Sequence, residues 1–434
     1  MTLLSLAIFY PALQYLVPEV FAAGAGQLGD ETVLLDGIRG ASIHDGGRLK
    51  IGPDGKLYAT TGDAADRQLA QDLSSLNGKI LRLNLDGTIP SDNPFLGSPV
   101  YSYGHRHPQG LAWDGAGRLV SSEHGPSGND EINFIQPGRN YGWPVVNGTA
   151  GNPDFRDPIL STGSDTWAPS GMTYYSGSQI PEWTGKFLVT TLRGQHLRVL
   201  DIDFSTGNPQ VVSSTPYFSG TYGRLRDVVE GPDGFVYVAT SNRDGRGTPN
   251  AGDDKILRIT SVDGVSSGTV EEVATGLEAP WSIAFSNNGT IYLTERPGRV
   301  RAVKQSVLQP SALATIGVTT FPTGESGLLG FVLDPDVDTN RRVYVYYTYT
   351  NSSGDVLNRV SKFTLAEQEP GFPLYIVYVA LGGTALGLSV FVSYWLIKQR
   401  RKLSIQRGDS VTIVSALLVK VLPQRSRVLV GLLS

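Results

Sequence analysis

With 434 residues, 52 Gly, 26 Pro and 18% charged residues, the chain is long enough to bury a large core yet is broken by turn formers every few residues, a profile of β or repeat architecture rather than of a helical protein. It has no Cys, which excludes a disulfide framework, a thiolate metal site and a Cys nucleophile. Residues 398–434 hold eight of the 36 Lys and Arg but one acid, leaving 28 basic against 39 acidic residues in 1–397, about −11, and such an acidic body argues against nucleic acid as a partner.

The first 25 residues are apolar and end in Phe21-Ala-Ala-Gly-Ala25, which predicts a signal peptide or an uncleaved N-terminal membrane anchor, although no basic region precedes the apolar run. From Gly47 onward one pattern recurs: an apolar strand, a turn of the Pro-Asp-Gly kind, then a second strand rich in alternating or β-branched residues. Its six copies start at Gly47, Gly110, Gly171, Leu225, Pro280 and Gly327, 47 to 63 residues apart. Such spacing predicts an all-β fold, a six-bladed β-propeller, in which each four-stranded sheet cannot cover its own faces and stacks on its neighbours. No amphipathic helices separate the repeats, which argues against a parallel α/β sheet; a two-sheet sandwich is the plainer alternative. Residues 372–397 then run for 26 positions without a charge, long enough for a C-terminal transmembrane helix rather than a buried core helix. Lys398-Gln-Arg-Arg-Lys402 follows at once, and the positive-inside tendency makes 398–434 a cytoplasmic tail and places the repeats outside the cell membrane.

In a propeller, loops from several blades converge on one axis, so chemistry should come from equivalent places in several repeats. His44 precedes the first repeat and Asp63 closes it; a carboxylate on one imidazole nitrogen would leave the other free as a general base, whereas a lone loop His is more often a polar surface group. Next comes Tyr103-Gly-His-Arg-His-Pro-Gln-Gly110, followed by Ser122-Glu-His-Gly-Pro126 and Gly128-Asn-Asp-Glu131. Arg106 offers a planar fork for an anionic or quinonoid oxygen, and Gly125 and Pro126 put carbonyl oxygens on a sharp turn, hard ligands suited to Ca²⁺. His105, His107 and His124 raise the alternative of zinc, without its usual compact spacing. Arg193, Arg224 and Arg226 add three guanidinium groups that would suit a ligand with several carboxylates, or simply pair with surface acids. Arg224 and Arg226, two apart on a strand, face one side.

Together these strings resemble the glucose/sorbosone dehydrogenase family, the soluble glucose and aldose sugar dehydrogenases, over about residues 28–366. The resemblance rests on His-x-Gly-Gly-Arg-Leu…Gly-Asp, Gly-His-Arg-x-Pro-Gln-Gly, Glu-His-Gly-Pro…Asp-Glu-Ile-Asn…Asn-Tyr-Gly-Trp-Pro and Arg-x-Arg-Asp. It implies a six-bladed propeller that oxidises aldose sugars at C1 to the lactone with pyrroloquinoline quinone (PQQ) and Ca²⁺, passing electrons to an external or membrane acceptor. It also implies His44 as base, Asp63 as its orienting partner and Arg106 at the quinone oxygen. Gly125 and Pro126 would hold the catalytic Ca²⁺ through their carbonyls, and Glu131 and Tyr141 match a second, structural Ca²⁺ site. His107, His124, Thr166, Arg193, Arg224 and Arg226 fall at cofactor-binding positions.

Several positions depart from the glucose dehydrogenase pattern: Arg193 stands for a usual Lys, His107 for an Asn and Glu325 for a Gln, and Ser241 stands near where an acid is usual. The order departs too, since the repeats at 273–303 and 327–350 usually come first. The chain therefore reads as circularly permuted, with Phe363-Thr-Leu365 expected to meet Leu28 at one exposed spot. Two other function classes compete: a non-catalytic propeller that binds a glycan or protein, and a Ca²⁺-dependent lactonase-type hydrolase.

Overall fold

The computed structural model describes residues 28–260 and 270–365. The apolar segment 1–25, the expected span 372–397 and the tail 398–434 lie outside these residues, and among the described ones no helix is long and apolar enough to cross a membrane.

Six antiparallel sheets make up the described chain. After β1 (Thr32–Arg39), the first blade is β2 (Leu49–Ile51), β3 (Leu57–Thr61), β4 (Lys79–Leu83) and β5 (Val100–Tyr103), and the second is β6 (Pro108–Trp113), β7 (Leu119–Glu123), β8 (Glu131–Ile135) and β9 (Leu160–Ser161). The third is β10 (Pro169–Tyr175), β11 (Lys186–Thr191), β12 (Leu197–Asp203) and β13 (Gln210–Tyr217); the fourth is β14 (Leu225–Glu230), β15 (Val236–Thr240), β16 (Ile256–Ile259) and β17 (Val270–Ala274). In the fifth, β18 (Pro280–Phe285), β19 (Ile291–Glu295) and β20 (Arg299–Lys304) carry a divided outer strand, since β21 (Val307–Leu308) and β22 (Ala314–Thr315) both pair with β20. The sixth is β23 (Leu328–Leu333), β24 (Arg342–Thr350) and β25 (Val356–Thr364), with β1 on its outer edge.

Each sequence repeat is thus the inner hairpin of one blade. Its turn closes tightly: Gly55 N–H donates to Gly52 O and Gly234 N–H to Gly231 O, both at 2.9 Å, with φ of +71° and +77° that a side chain would disfavour. These turns occupy one end of the ring. The loops that enter each inner strand, and those that join the second strand of a blade to its third, occupy the other.

Strand alternation explains why the sheets stack. In β15, Val236 and Val238 pack toward blade three, whereas Tyr237 and Ala239 pack toward blade five. In β3, Leu57 and Ala59 face blade six while Tyr58 faces blade two. Every neighbouring pair of blades encloses its own apolar cluster, six in all for six blades, so the ring has no open seam.

Closure comes from the two ends of the described chain. β1 pairs antiparallel with β25, Gly29 N–H donates to Thr364 O at 2.8 Å, and Leu28 bridges Leu365. The junction expected from the permuted order is therefore a real strand pair.

Candidate active site

The axis is blocked part-way down by charge. Arg48, on the approach to β2, reaches across the ring to Asp227 of β14 at 3.0 Å, donates from Nε to Gln109 O at 2.8 Å and lies 4.2 Å over the Trp281 ring. Asp227 Oδ2 accepts the Ile283 N–H, and Gln109 Oε1 accepts from Ser170 Oγ and Arg226 Nη1, so this floor ties the inner strands of five blades together. Above it stand the loop residues singled out by the sequence.

His44 sits on the loop between β1 and β2 at φ +63°. Its Nδ1 lies 2.8 Å from Asp63 Oδ1, and its Nε2 makes no hydrogen bond among the described residues. Asp63 is held in turn by Trp143 Nε1, which donates to Oδ2 at 2.8 Å, and by the Ala65 N–H on Oδ1. Burial alone would raise the Asp63 carboxyl, but the hydrogen bond and charge of His44, with the Trp143 and Ala65 donors, hold it below its ordinary value. The carboxylate thus fixes the Nδ1–H tautomer of His44. The close approach needs Gly62, where a Cβ would stand 1.9 Å from His44 O.

Arg106, from the loop before β6, donates from Nη1 to His124 O at 3.2 Å and lies 5.4 Å from the Trp143 ring, the same ring that anchors Asp63. His107 packs 5.3 Å from His44 and 4.8 Å, edge-on, from His124. Glu325, from the loop before β23, takes three donors: the His44 N–H at 2.7 Å, His107 Nε2 at 2.9 Å and Arg246 Nη1 at 2.7 Å. Burial holds His107 and His124 below the usual imidazole range, whereas Glu325, despite burial, is kept ionised by the His107 contact and Arg246. His107 and Glu325, two of the departures noted in the sequence, are therefore in contact.

Arg224 and Arg226 do face one side: both reach Asp244 Oδ2, at 2.8 and 3.5 Å, and both are buried rather than engaged in surface pairing. Burial pulls Arg226 down to about 9, partly offset by Asp244. Arg193 lies exposed on the turn after β11, its backbone N–H on Trp167 O and its guanidinium without a hydrogen bond or ion pair among the described residues. Thr166 is half-buried on the loop leading into β10.

Gly125 and Pro126 form the turn after β7. Asp130 organises it, accepting the Gly125 N–H on Oδ1 and the Trp167 and Ala168 N–H groups on Oδ2, so one carboxylate ties the carbonyl turn to the Thr166 loop. Glu131 accepts from Gly148 N–H and Asn133 Nδ2, and burial beside Glu123 pushes its carboxyl up to about 8. The Tyr141 hydroxyl is spent on Phe134 O and the Gln136 N–H, and its ring stacks 4.7 Å from His105, leaving only its backbone carbonyl for a cation. Among the described residues no three His, Asp or Glu side chains converge on a metal position, so a cation here would need main-chain oxygens beside any side-chain ligand. Of the three His considered for zinc, His105 is tied to Ser102 and Glu123 and His107 to Glu325, whereas His124 Nε2 has no hydrogen-bond partner among the described residues.

Do these groups suit an anionic, flat cofactor? His124 Nε2, Arg226 Nε and Arg48 Nη2 are buried without a hydrogen-bond partner. Burial depresses Arg48, Arg106 and Arg226 alike. Desolvated, under-satisfied guanidinium donors are costly unless an acceptor meets them, and a ligand rich in carboxylate and carbonyl oxygens supplies that acceptor. The residues fit. A separate cavity of about 570 Å³ lies away from this site, where Leu28, Glu31, Tyr347 and Phe363 meet residues 312–317.

Trp143, Asp130, Asp244 and Gln109 complete the site, although sequence reading gave them no role. Trp143 and Asp130 do lie inside the quoted motifs; Asp244 lies in none of them.

A family model described as "Glucose / Sorbosone dehydrogenase" matches residues 17–257 and 277–377. Aldose sugar dehydrogenase YliI of Escherichia coli is 34% identical over 253 residues, 52% of this chain and 67% of that protein. Quinoprotein glucose dehydrogenase B of Acinetobacter calcoaceticus is 40% identical over 189 residues, 37% of this chain and 40% of that protein, and the uncharacterized protein slr1608 of Synechocystis is 41% identical over 47% of this chain and 55% of its own length. Among solved structures, the PQQ-bound aldose sugar dehydrogenase of Streptomyces coelicolor is 43% identical, covering 51% of this chain and 63% of that one, with a TM-score of 0.46. The matched stretches span from two fifths to two thirds of the relatives' own length, while the family model takes in nearly the whole propeller, and on that ground the chain belongs to the glucose/sorbosone dehydrogenase family.

Proposed function

We propose that the chain is a PQQ-dependent dehydrogenase that oxidises aldose sugars at C1 to the lactone, with the propeller held outside the cell membrane by its apolar end segments. The observation that carries this reading is the His44–Asp63 pair opening onto a group of buried, under-satisfied cationic donors. The names of the relatives, an aldose sugar dehydrogenase and a quinoprotein glucose dehydrogenase, support it.

When bound, PQQ supplies a two-electron acceptor for the hydride of C1, and Ca²⁺ supplies Lewis-acid polarisation. The remaining work belongs to the protein. His44 Nε2 takes the proton of the anomeric hydroxyl, while Asp63 holds the other nitrogen and stabilises the imidazolium that forms. Arg106, Arg193, Arg224 and Arg226 offer positive charge to carboxylate and quinone oxygens, with Arg106 positioned by His124 O and Trp143. The Gly125 and Pro126 carbonyls are the hard oxygen donors for Ca²⁺; Glu131 and the Tyr141 carbonyl serve a second, structural ion. His107, His124 and Thr166 line the cofactor.

Purified protein loaded with PQQ and Ca²⁺ is to be tested for dye reduction by a panel of aldoses. Reduction by at least one aldose is expected. Lactone hydrolysis without PQQ would favour the hydrolase, and neither activity would favour a binding propeller.

A further inference from the structure

His44 adopts a left-handed backbone conformation without being glycine, so something must hold it there. Two side chains grip the main chain around it. Glu325 Oε2 accepts the His44 N–H at 2.7 Å, and His107 Nδ1 accepts the Gly46 N–H at 3.3 Å. The two gripping residues are joined to each other, His107 Nε2 to Glu325 Oε2 at 2.9 Å. Both His107 contacts call for the same neutral tautomer, with the proton on Nε2. The third contact opposes it: Gln109 Nε2 lies 2.5 Å from the same nitrogen with its oxygen turned to Ser170 and Arg226, so this amide faces the Nε2–H donor to donor and must shift away for the tautomer to stand. Glu325 is itself fixed by Arg246 Nη1 at 2.7 Å and by its own N–H on Ser42 O at 2.9 Å.

We propose that Glu325 and His107 are a positioning pair that clamps the backbone on both sides of His44 and so aims its imidazole. The inference rests on His44 being the base proposed above. Neither residue touches the Nδ1 that Asp63 holds, so the clamp sets where the ring stands rather than which nitrogen carries its proton. Both are also positions at which the chain departs from the glucose dehydrogenase pattern, and their contact makes the two departures one exchange: an acid and an imidazole in place of two amides.

The test is a double-mutant cycle of Glu325→Gln, His107→Asn and the double variant in the full chain, loaded with PQQ and Ca²⁺. Misplacing a catalytic group by about 1 Å can cost about 10²-fold, so each single variant should lose about 10- to 100-fold in kcat, and Glu325→Gln should do so with little change in PQQ affinity or melting temperature. The double variant should recover most of that loss, the amides replacing the acid–imidazole contact. Losses that multiply, or a Glu325→Gln enzyme as fast as the parent, overturn the proposal. Nitrogen-15 spectra of the histidines in the cofactor-free protein give a readout independent of turnover. A neutral Nε2–H His107, with His44 signals displaced by Glu325→Gln, supports the clamp; an Nδ1–H or charged His107 overturns it. A parent protein that reduces no dye with any aldose would instead sink the dehydrogenase reading, leaving the spectra to judge the clamp alone.

Discussion

Asp63 serves two neighbours at once, one oxygen toward His44 and the other toward Trp143. Its depressed carboxyl makes a signed prediction. A group more acidic in the folded than in the unfolded state stabilises the fold above the unfolded value, about 3.9, and loses that contribution as pH falls through the lower folded one. Asp63→Asn should therefore melt earlier than the parent at pH 7, with the gap closing as the pH falls below the unfolded value; a gap that stays constant as the medium is acidified would show that its charge is not what matters. Glu131 has the opposite sign. Burial holds it protonated up to about 8, so if Ca²⁺ binds through it at pH 7 the ion must displace a proton. Calorimetry in buffers of different ionisation enthalpy should show release of up to one proton per Ca²⁺, abolished in Glu131→Gln; binding without proton release would remove Glu131 from the site.

At this scale the sequence was most legible where a motif is short. His44, Asp63, Arg106, Gly125 and Pro126 could be picked out because each stands beside a recognisable turn. Glu325 was noticed only as a departure, because its hydrogen bond to His44 spans 281 residues of chain and no local pattern encodes it. The pairing of Arg224 and Arg226 with Asp244 was missed for a related reason, since the loop that carries this acid folds back through a route no periodicity marks.

Among the elements, β1 is the one that joins the start of the described chain to its last blade. Ile38 is fully buried in the cluster between blades one and six, whereas Val33 on the same strand is 43% exposed. Denaturant unfolding should show Ile38→Ala destabilised by about 2–5 kcal/mol and Val33→Ala by about 0.5 or less. Equal losses would mean that β1 does not close the sheet as described. The six hairpins were legible because their turns and alternation recur, and each became the inner pair of a blade. The outer strands were not: β9, β21 and β22 have two residues each and too little pattern to announce themselves.

For the molecule as a whole, the pairing of Leu28 with Leu365 implies that strand order is a matter of where the ring is cut. A rearranged chain running 270–365, a short linker and then 28–260 should fold to the same β-rich circular dichroism spectrum and bind PQQ as the parent does. An aggregated product would show that the present order is needed for folding. The closed ring was legible from repeat spacing, but the Arg48–Asp227 bridge that sets the floor of the site was not, because its two ends belong to opposite blades.

The most direct measurement is a single turnover. Protein loaded with PQQ and Ca²⁺ is mixed with an aldose without oxygen, and the absorbance of the cofactor is followed. The parent should show reduction, and His44→Ala should bind PQQ yet reduce it at least about 10²-fold more slowly, as expected for loss of a positioned base. Reduction at the parental rate in His44→Ala would contradict the assignment of His44 as the base on which this reading of the site depends.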